Sequence, residues 1–275
     1  MGILNVTPDS FSDGGTHAGV SAALDHARQM IAEGAEIIDI GGESTRPGAA
    51  EVAVAEEIAR TAPVIAALRG EWDGLISIDT MKAGVAAAAL EAGADIVNDV
   101  SGLTADPEMV RVCVAGGCGV VVMHMQGDPR TMQKAPRYDD VVTEVQAFFE
   151  ERLAALTAAG MDAEAICFDP GIGFGKTVAH NLSLLRALPD LGIGGRPLLL
   201  GVSRKSFIGR VLGSEALADR SWPTVAITAW AREAGVMIHR VHEVLPNAQA
   251  LRMTEAILHG GISDSPGESF VRTSV

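Results

Sequence analysis

Lysine, cysteine and aromatic residues are all scarce in this 275-residue chain: there are 3 cysteines, aromatics make up 4%, and the only lysines are Lys82, Lys134, Lys176 and Lys205. Cys113, Cys118 and Cys167 are an odd number without CxxC spacing. That excludes a disulfide framework or a zinc site and fits reduced thiols in a cytoplasmic protein. No apolar run approaches the roughly 18 residues a membrane span needs. The residues after Met1 carry no basic stretch, so they do not read as a signal peptide, and Val6 stands where myristoylation needs Ser or Thr. Net charge is −14, with no block of like charges, so there is no basic surface for a nucleic acid. An anionic ligand would have to be caught by local groups against that overall field.

The chain is 48% hydrophobic and rich in Ala, Val, Ile and Gly, a composition suited to parallel strands buried on both faces. Short apolar runs at 2–6, 36–40, 75–79, 95–99, 119–124, 165–169, 197–203 and 236–242 alternate with segments of helix composition. The helical segments are 21–34, 51–69, 82–93, 106–116, 140–160, 178–188, 205–235 and 246–259, and several end on a capping Gly, as at Glu33-Gly34, Ala92-Gly93 and Ala159-Gly160. Eight βα units without a linker-like break predict an α/β fold, a single-domain (β/α)8 barrel over 1–260, with a loose tail at 261–275. A doubly wound open sheet is the alternative, which eight even repeats fit less well.

Polar residues gather at the C-terminal ends of the runs, where such a barrel builds its site. In order they are Asn5, Glu43-Ser44-Thr45-Arg46, Asp79, Asn98-Asp99, His124, Asp169, Ser203-Arg204-Lys205 and Arg240-Val241-His242. One polar strand end is usually a cap; eight around one mouth form a site. Asp79, Asn98 and Asp169 end three different strands and, if buried, need hydrogen-bond partners. A flat heterocycle with alternating donors and acceptors, such as a pterin, would satisfy them, and backbone amides are the competing partners. Arg240 and His242 alternate with Val241, so they share a face as an anion clamp.

Thr45 and Arg46, in a Gly/Pro-bounded loop, suit a pyrophosphate with a divalent metal. Asn5 offers that metal one oxygen, so phosphate and water would supply most ligands, as Mg²⁺ tolerates. Ser203-Arg204-Lys205-Ser206 opens a helix whose N-terminus attracts a carboxylate, with the Ser206 hydroxyl as a further donor and Lys205 reaching back to a ring. Gly171–Thr177 imitates a phosphate-binding loop, but its first required Gly falls on Pro170. Cys113 and Cys118 read as core. His17, His26, His180, His239 and His259 show no partner pattern, and His124 stays open between lining the mouth and structural use.

Taken together these residues resemble the dihydropteroate synthases, a pterin-binding family. MGILNVTPDSFSDGG at 1–15 and GGESTRPGA at 41–49 are its long, specific loops. SIDT at 77–80, NDVSG at 98–102, MHMQG at 123–127, DPGIGFGK at 169–176, SRKS at 203–206 and RVH at 240–242 complete the order, so the resemblance runs from residue 1 to about 258. It implies condensation of a pterin pyrophosphate with p-aminobenzoate, Mg²⁺, a homodimer, and inhibition by sulfonamides. By resemblance, Asn5 contacts the metal, and Thr45, Arg240 and His242 contact the pyrophosphate. Asp79, Asn98, Asp169 and Lys205 bind the pterin, with Met123 packing on the ring. Phe11, Arg46, Pro47, Phe174 and Ser206 form the p-aminobenzoate subsite. The catalytic set is then Asp79, Asp169, Lys205, Arg240 and His242.

The loops 7–15 and 44–50 fit lids that order around substrates. Family members usually carry residues ahead of the MGILN segment, often a hairpin under the barrel; here the numbering begins on the first strand. A methyltetrahydrofolate-binding methyltransferase domain shares the pterin-binding barrel but has no use for the two loops or the Arg240/His242 clamp. A non-catalytic pterin-binding homologue is the rival from another class.

Overall fold

Isoleucine and valine dominate the apolar runs, and in the computed structural model those runs become eight parallel strands. They are β1 (Gly2–Asn5), β2 (Ile37–Gly41), β3 (Leu75–Asp79), β4 (Ile96–Asp99), β5 (Gly119–Met123), β6 (Ile166–Asp169), β7 (Leu199–Leu200) and β8 (Ile238–His239). The structure describes residues 1–6, 15–44, 50–128 and 131–261. Phe11, Thr45, Arg46 and Pro47, both expected lids except their end residues Gly15, Ser44 and Ala50, and all of the expected tail except Gly261 lie outside the described residues.

Strands β1 to β6 pair in chain order, and β7 pairs with β8. Two single bridges join the sheets into a ring, Phe168 to Leu198 and Gly2 to Val241. The Phe168 N–H donates to Pro197 O and the Ile3 N–H to Val241 O, both at 3.0 Å. The (β/α)8 expectation holds, and the open sheet is excluded by that closure. The last two strands are shorter than the runs 197–203 and 236–242, because both runs leave the sheet at the mouth.

Alternation along the strands sorts the side chains. Ile38, Ile40, Ile76, Ile78, Val97, Val120, Val122 and Phe168 belong to the large core shared with the helices. Residues of the other parity form a separate apolar plug of Val121, Cys167 and Leu199 with Met1, Ile96 and Ile238. Two residues further along the same strands stand Asn98, Met123, Asp169, Gly201 and Arg240. A period of 2 therefore carries each of these strands from an apolar floor to a polar mouth on one face.

The helices are α1 (Gly15–Ala32), α2 (Val54–Arg69), α3 (Ala83–Glu91), α4 (Met109–Gly116), α5 (Val141–Ala158), α6 (Val178–Arg186), α7 (Ser206–Leu212), α8 (Ser221–Glu233) and α9 (Val244–His259). Their starts follow local chemistry: the Asp140 carboxylate accepts the Val142 and Thr143 N–H groups ahead of α5, and Thr177 and His180 form a capping box on α6. One expectation fails. The segment 205–235 is two helices, because Gly213 turns left-handed (φ 67°) and the Ser214 hydroxyl bonds Asp219 at 2.6 Å. Arg220 then holds the connection against the strand end through Arg204 O at 3.0 Å.

Candidate active site

The floor of the mouth is an ionic cluster strung between opposite sides of the barrel. Arg240 Nε donates to Asp39 Oδ2 and Arg240 Nη2 to Asp79 Oδ2, each at 2.6 Å. Asn98 Nδ2 donates to the same Asp39 oxygen at 3.2 Å. Parallel register puts Asn5, Gly41, Asp79 and Asn98 side by side on neighbouring strands, which is why these groups meet. Burial drives the Asp79 carboxyl above the usual carboxylate range, and Arg240 pulls it back. Two of the guanidinium's donors are thus turned down onto carboxylates, so Arg240 organises the floor as well as presenting charge to the mouth.

Asp39 is missing from the sequence expectation. It lies within β2 rather than at its end, so a search of strand ends passes over it. The available signal was its charge within the run Ile37-Ile38-Asp39-Ile40, at the parity that faces inward.

Across the mouth stand Asp169 and Lys205. Asp169 is buried, and its Oδ1 accepts the Gly171 N–H at 2.7 Å. Burial pushes its carboxyl up, with Lys205 opposing. The Lys205 ammonium donates to Ile172 O and lies 4.6 Å from the centroid of the Phe174 ring. Burial pushes it down to about 8, against the pull of Asp169. Gly201 leaves open the space between these groups. A Cβ there would lie 3.8 Å from Asp169 Oδ2, 3.8 Å from Lys205 Nζ and 3.9 Å from the Arg240 Cβ. Met123 is buried and pairs with Asp169 across β5 and β6. Asp79, Asn98, Asp169, Lys205, Arg240, Met123 and Phe174 therefore belong to one mouth.

The rim is built separately. Ser203 Oγ pairs with His242 Nδ1 at 2.9 Å and accepts the His242 N–H at 3.2 Å, tying the ends of β7 and β8. Asn5 is exposed at the end of β1, and Ser206 is exposed in the first turn of α7, a helix of only 7 residues. Lys82 holds the base of the β2–α2 connection: it pairs with Glu43 and donates to Val52 O at 2.6 Å and to Glu57 at 2.7 Å.

His124 proves structural. Buried Lys176 donates to His124 O at 3.2 Å and Phe174 O at 3.0 Å and contacts His124 Nδ1 at 3.0 Å. Burial and that cation push the imidazole down to about 3, so it is neutral and free to accept. Gly171 completes the brace, since at φ 66° a Cβ would sit 1.9 Å from His124 O. The loop that resembles a phosphate-binding loop thus uses its lysine to fix its own backbone.

The family model described as pterin binding enzyme matches residues 1–242. A dihydropteroate synthase of Synechocystis sp. is 48% identical over 257 residues, 94% of this chain and 89% of that protein. The Yersinia pestis dihydropteroate synthase, solved as a sulfonamide drug complex, superposes with a TM-score of 0.88 at 45% identity, over 94% of both chains. The Xanthomonas albilineans dihydropteroate synthase, solved with 4-aminobenzoic acid, gives 0.87 at 45% identity, over 94% of this chain and 92% of that one. Matched in this way along most of its length, the chain belongs to the pterin-binding enzyme family.

Proposed function

We propose that the chain condenses (7,8-dihydropterin-6-yl)methyl diphosphate with p-aminobenzoate to give 7,8-dihydropteroate and pyrophosphate, the dihydropteroate synthase step of folate biosynthesis. It is a transferase with small-molecule substrates. The observation that carries the reading is the ring of Asp79, Asn98, Asp169 and Lys205 around the opening kept by Gly201. Asp169 Oδ2 and Lys205 Nζ border the space that Gly201 leaves, Asp79 and Asn98 stand paired on neighbouring strands of the same mouth, and buried Met123 pairs with Asp169.

In this reading the four groups hold the pterin ring, and its methylene points toward Arg240 and His242. The bond from the methylene carbon to the diphosphate oxygen breaks, and the electron pair leaves with the diphosphate. The arylamine nitrogen then forms the new bond to carbon and releases a proton to solvent. No side-chain base is needed; the residues stabilise the leaving group, orient the partners and exclude water. Phe174 and Ser206, with Phe11, Arg46 and Pro47, are assigned to p-aminobenzoate, and Thr45 joins Arg240 and His242 on the diphosphate.

Mg²⁺ is proposed as the cofactor, and it would supply positive charge to the departing diphosphate. The residues fit that role: Asn5 is exposed at the mouth, and Gly41 keeps the space beside its Oδ1 clear, since a Cβ would lie 3.9 Å away. The ion would be held mainly by phosphate and water, as Mg²⁺ tolerates.

A homodimer is proposed as well. Trp222 is 77% exposed on α8, eight residues before half-exposed Trp230, and Met253 and Ile257 are exposed one turn apart on α9. Such apolar side chains on packed helices favour a partner surface. The cytoplasm is the proposed compartment, supported by three buried free thiols. No helix among the described residues is long and apolar enough to cross a membrane.

Inhibition tests this function. A sulfonamide presents the same aniline as p-aminobenzoate and a similarly polar opposite end, so sulfamethoxazole should compete with p-aminobenzoate. The p-aminobenzoate titration at several fixed drug concentrations should show a rising KM at constant maximal rate. Synthesis that continues unaffected at drug levels far above the substrate would contradict the assignment of that subsite.

The lysine gives a pH signature. With its ammonium pushed down to about 8, Lys205 loses its proton well below the ordinary lysine range, so pterin capture should weaken as pH rises through that value. The expected result is an alkaline limb in kcat/KM for the pterin substrate that Lys205→Arg removes, because arginine stays protonated. A limb that persists unchanged in Lys205→Arg belongs to another group.

A further inference from the structure

Asp39 is fully buried beneath the mouth, yet only one of its oxygens is used. Oδ2 accepts from Arg240 Nε at 2.6 Å and Asn98 Nδ2 at 3.2 Å, while Oδ1 has no hydrogen-bond partner among the described residues. A carboxylate kept so deep with one oxygen unsatisfied costs stability, and the isoleucines beside it show what the strand otherwise prefers. Its chemistry, however, settles the direction of its neighbour. A carboxylate paired with a guanidinium offers only acceptors, so Asn98 must turn its NH2 group down to it. The carbonyl oxygen of Asn98 is then left for the opposite side, the mouth. Without such a partner a side-chain amide can take either orientation.

We infer that Asp39 is a positioning residue that fixes the Asn98 amide so that the pocket meets an acceptor. It also holds Arg240 at the angle from which Nη2 reaches Asp79. The inference rests on the pterin reading above, since an N–H on the edge of the ring is what that acceptor recognises. Asp39 itself does not touch the ring; it acts through Asn98 and Arg240.

Titration calorimetry with 6-hydroxymethyl-7,8-dihydropterin, which lacks the diphosphate, tests this in the full chain. In Asp39→Asn the new amide can donate to Asn98, whose own NH2 then rotates into the pocket. Pterin affinity should fall about tenfold or more, with the KM for p-aminobenzoate unchanged. Combining Asp39→Asn with Asn98→Asp restores both the acceptor at the mouth and the charge count, and most of the affinity should return. Unchanged affinity in Asp39→Asn, or a loss that the exchange does not reverse, overturns the inference. Should Asp39→Asn fail to fold, the exchange decides alone: affinity within about tenfold of wild type supports the inference, and a larger loss overturns it. A wild-type chain that does not bind the pterin overturns the pterin reading itself, a result distinct from the other two.

Discussion

Replacing Arg240 with alanine is expected to destabilise the fold by about 3–5 kcal/mol and to remove turnover as well. The reason lies under the mouth rather than in it. Arg240 is the shared counter-charge of Asp39 and Asp79, at 2.6 Å from each, and Asp39 is wholly buried. Removing one partner of a buried ionic cluster leaves the others uncompensated, which is costlier than losing a contact with solvent. Without the guanidinium, burial drives Asp79 to take up a proton, and an acceptor of the pterin site is lost.

The consequence separates two roles. A pure pyrophosphate clamp would leave binding of a diphosphate-free pterin unchanged in Arg240→Ala, whereas an organiser of the floor weakens it too. The geometry favours the second, and Arg240→Lys, which keeps the charge without the two-pronged fork, should recover only part of either property. Urea unfolding at constant slope, with pterin titration on the same samples, checks both. Stability within about 1 kcal/mol of wild type would mean that the cluster is not what holds the floor.

Asp169→Asn should act almost wholly on binding. The substitution preserves volume, and the amide oxygen can still accept the Gly171 N–H that Asp169 Oδ1 accepts at 2.7 Å. What changes is the second position, which faces Lys205 and the opening beside Gly201. There an NH2 group replaces a charged acceptor and meets both the ammonium and the donor edge of the ring. Losing a charge-assisted hydrogen bond of roughly 1.5–3 kcal/mol weakens pterin capture about tenfold or more. Fluorescence or calorimetric titration with the pterin measures it. A folded Asp169→Asn variant with wild-type affinity would remove Asp169 from the pterin site.

Most of the barrel was legible because the strands fall in short apolar runs, most of them rich in Ile and Val, and polar residues stand at or just beyond their C-terminal ends. The strand from Ile96 to Asn98 shows the rule: apolar at the plug, polar two residues later. What escaped did so for physical reasons. Gly213-Ser214 breaks the segment 205–235 within helix composition, and only the left-handed glycine and the Ser214–Asp219 bond reveal the turn. Asp39 lies within its strand, and its partners, Asn98 and Arg240, are 59 and 201 residues away in sequence. Lys176 stood in a motif that suggests phosphate, but its hydrogen-bond partners are a histidine nitrogen and two carbonyls, which makes it a brace.

The resemblance supplied the sorting of mouth residues into metal, diphosphate, pterin and p-aminobenzoate contacts, which spacing alone does not give. Gly201 matters by what it lacks, and an absent side chain leaves no pattern to read.

The most direct measurement is the stoichiometry of the reaction. The chain is mixed with the pterin diphosphate, p-aminobenzoate and Mg²⁺, and 7,8-dihydropteroate and pyrophosphate are quantified together. Equal amounts of the two products, formed catalytically and only when all three additions are present, are expected. A chain that binds the pterin diphosphate tightly yet releases neither product, with or without p-aminobenzoate, would contradict the proposed function and leave a pterin-binding protein without this chemistry.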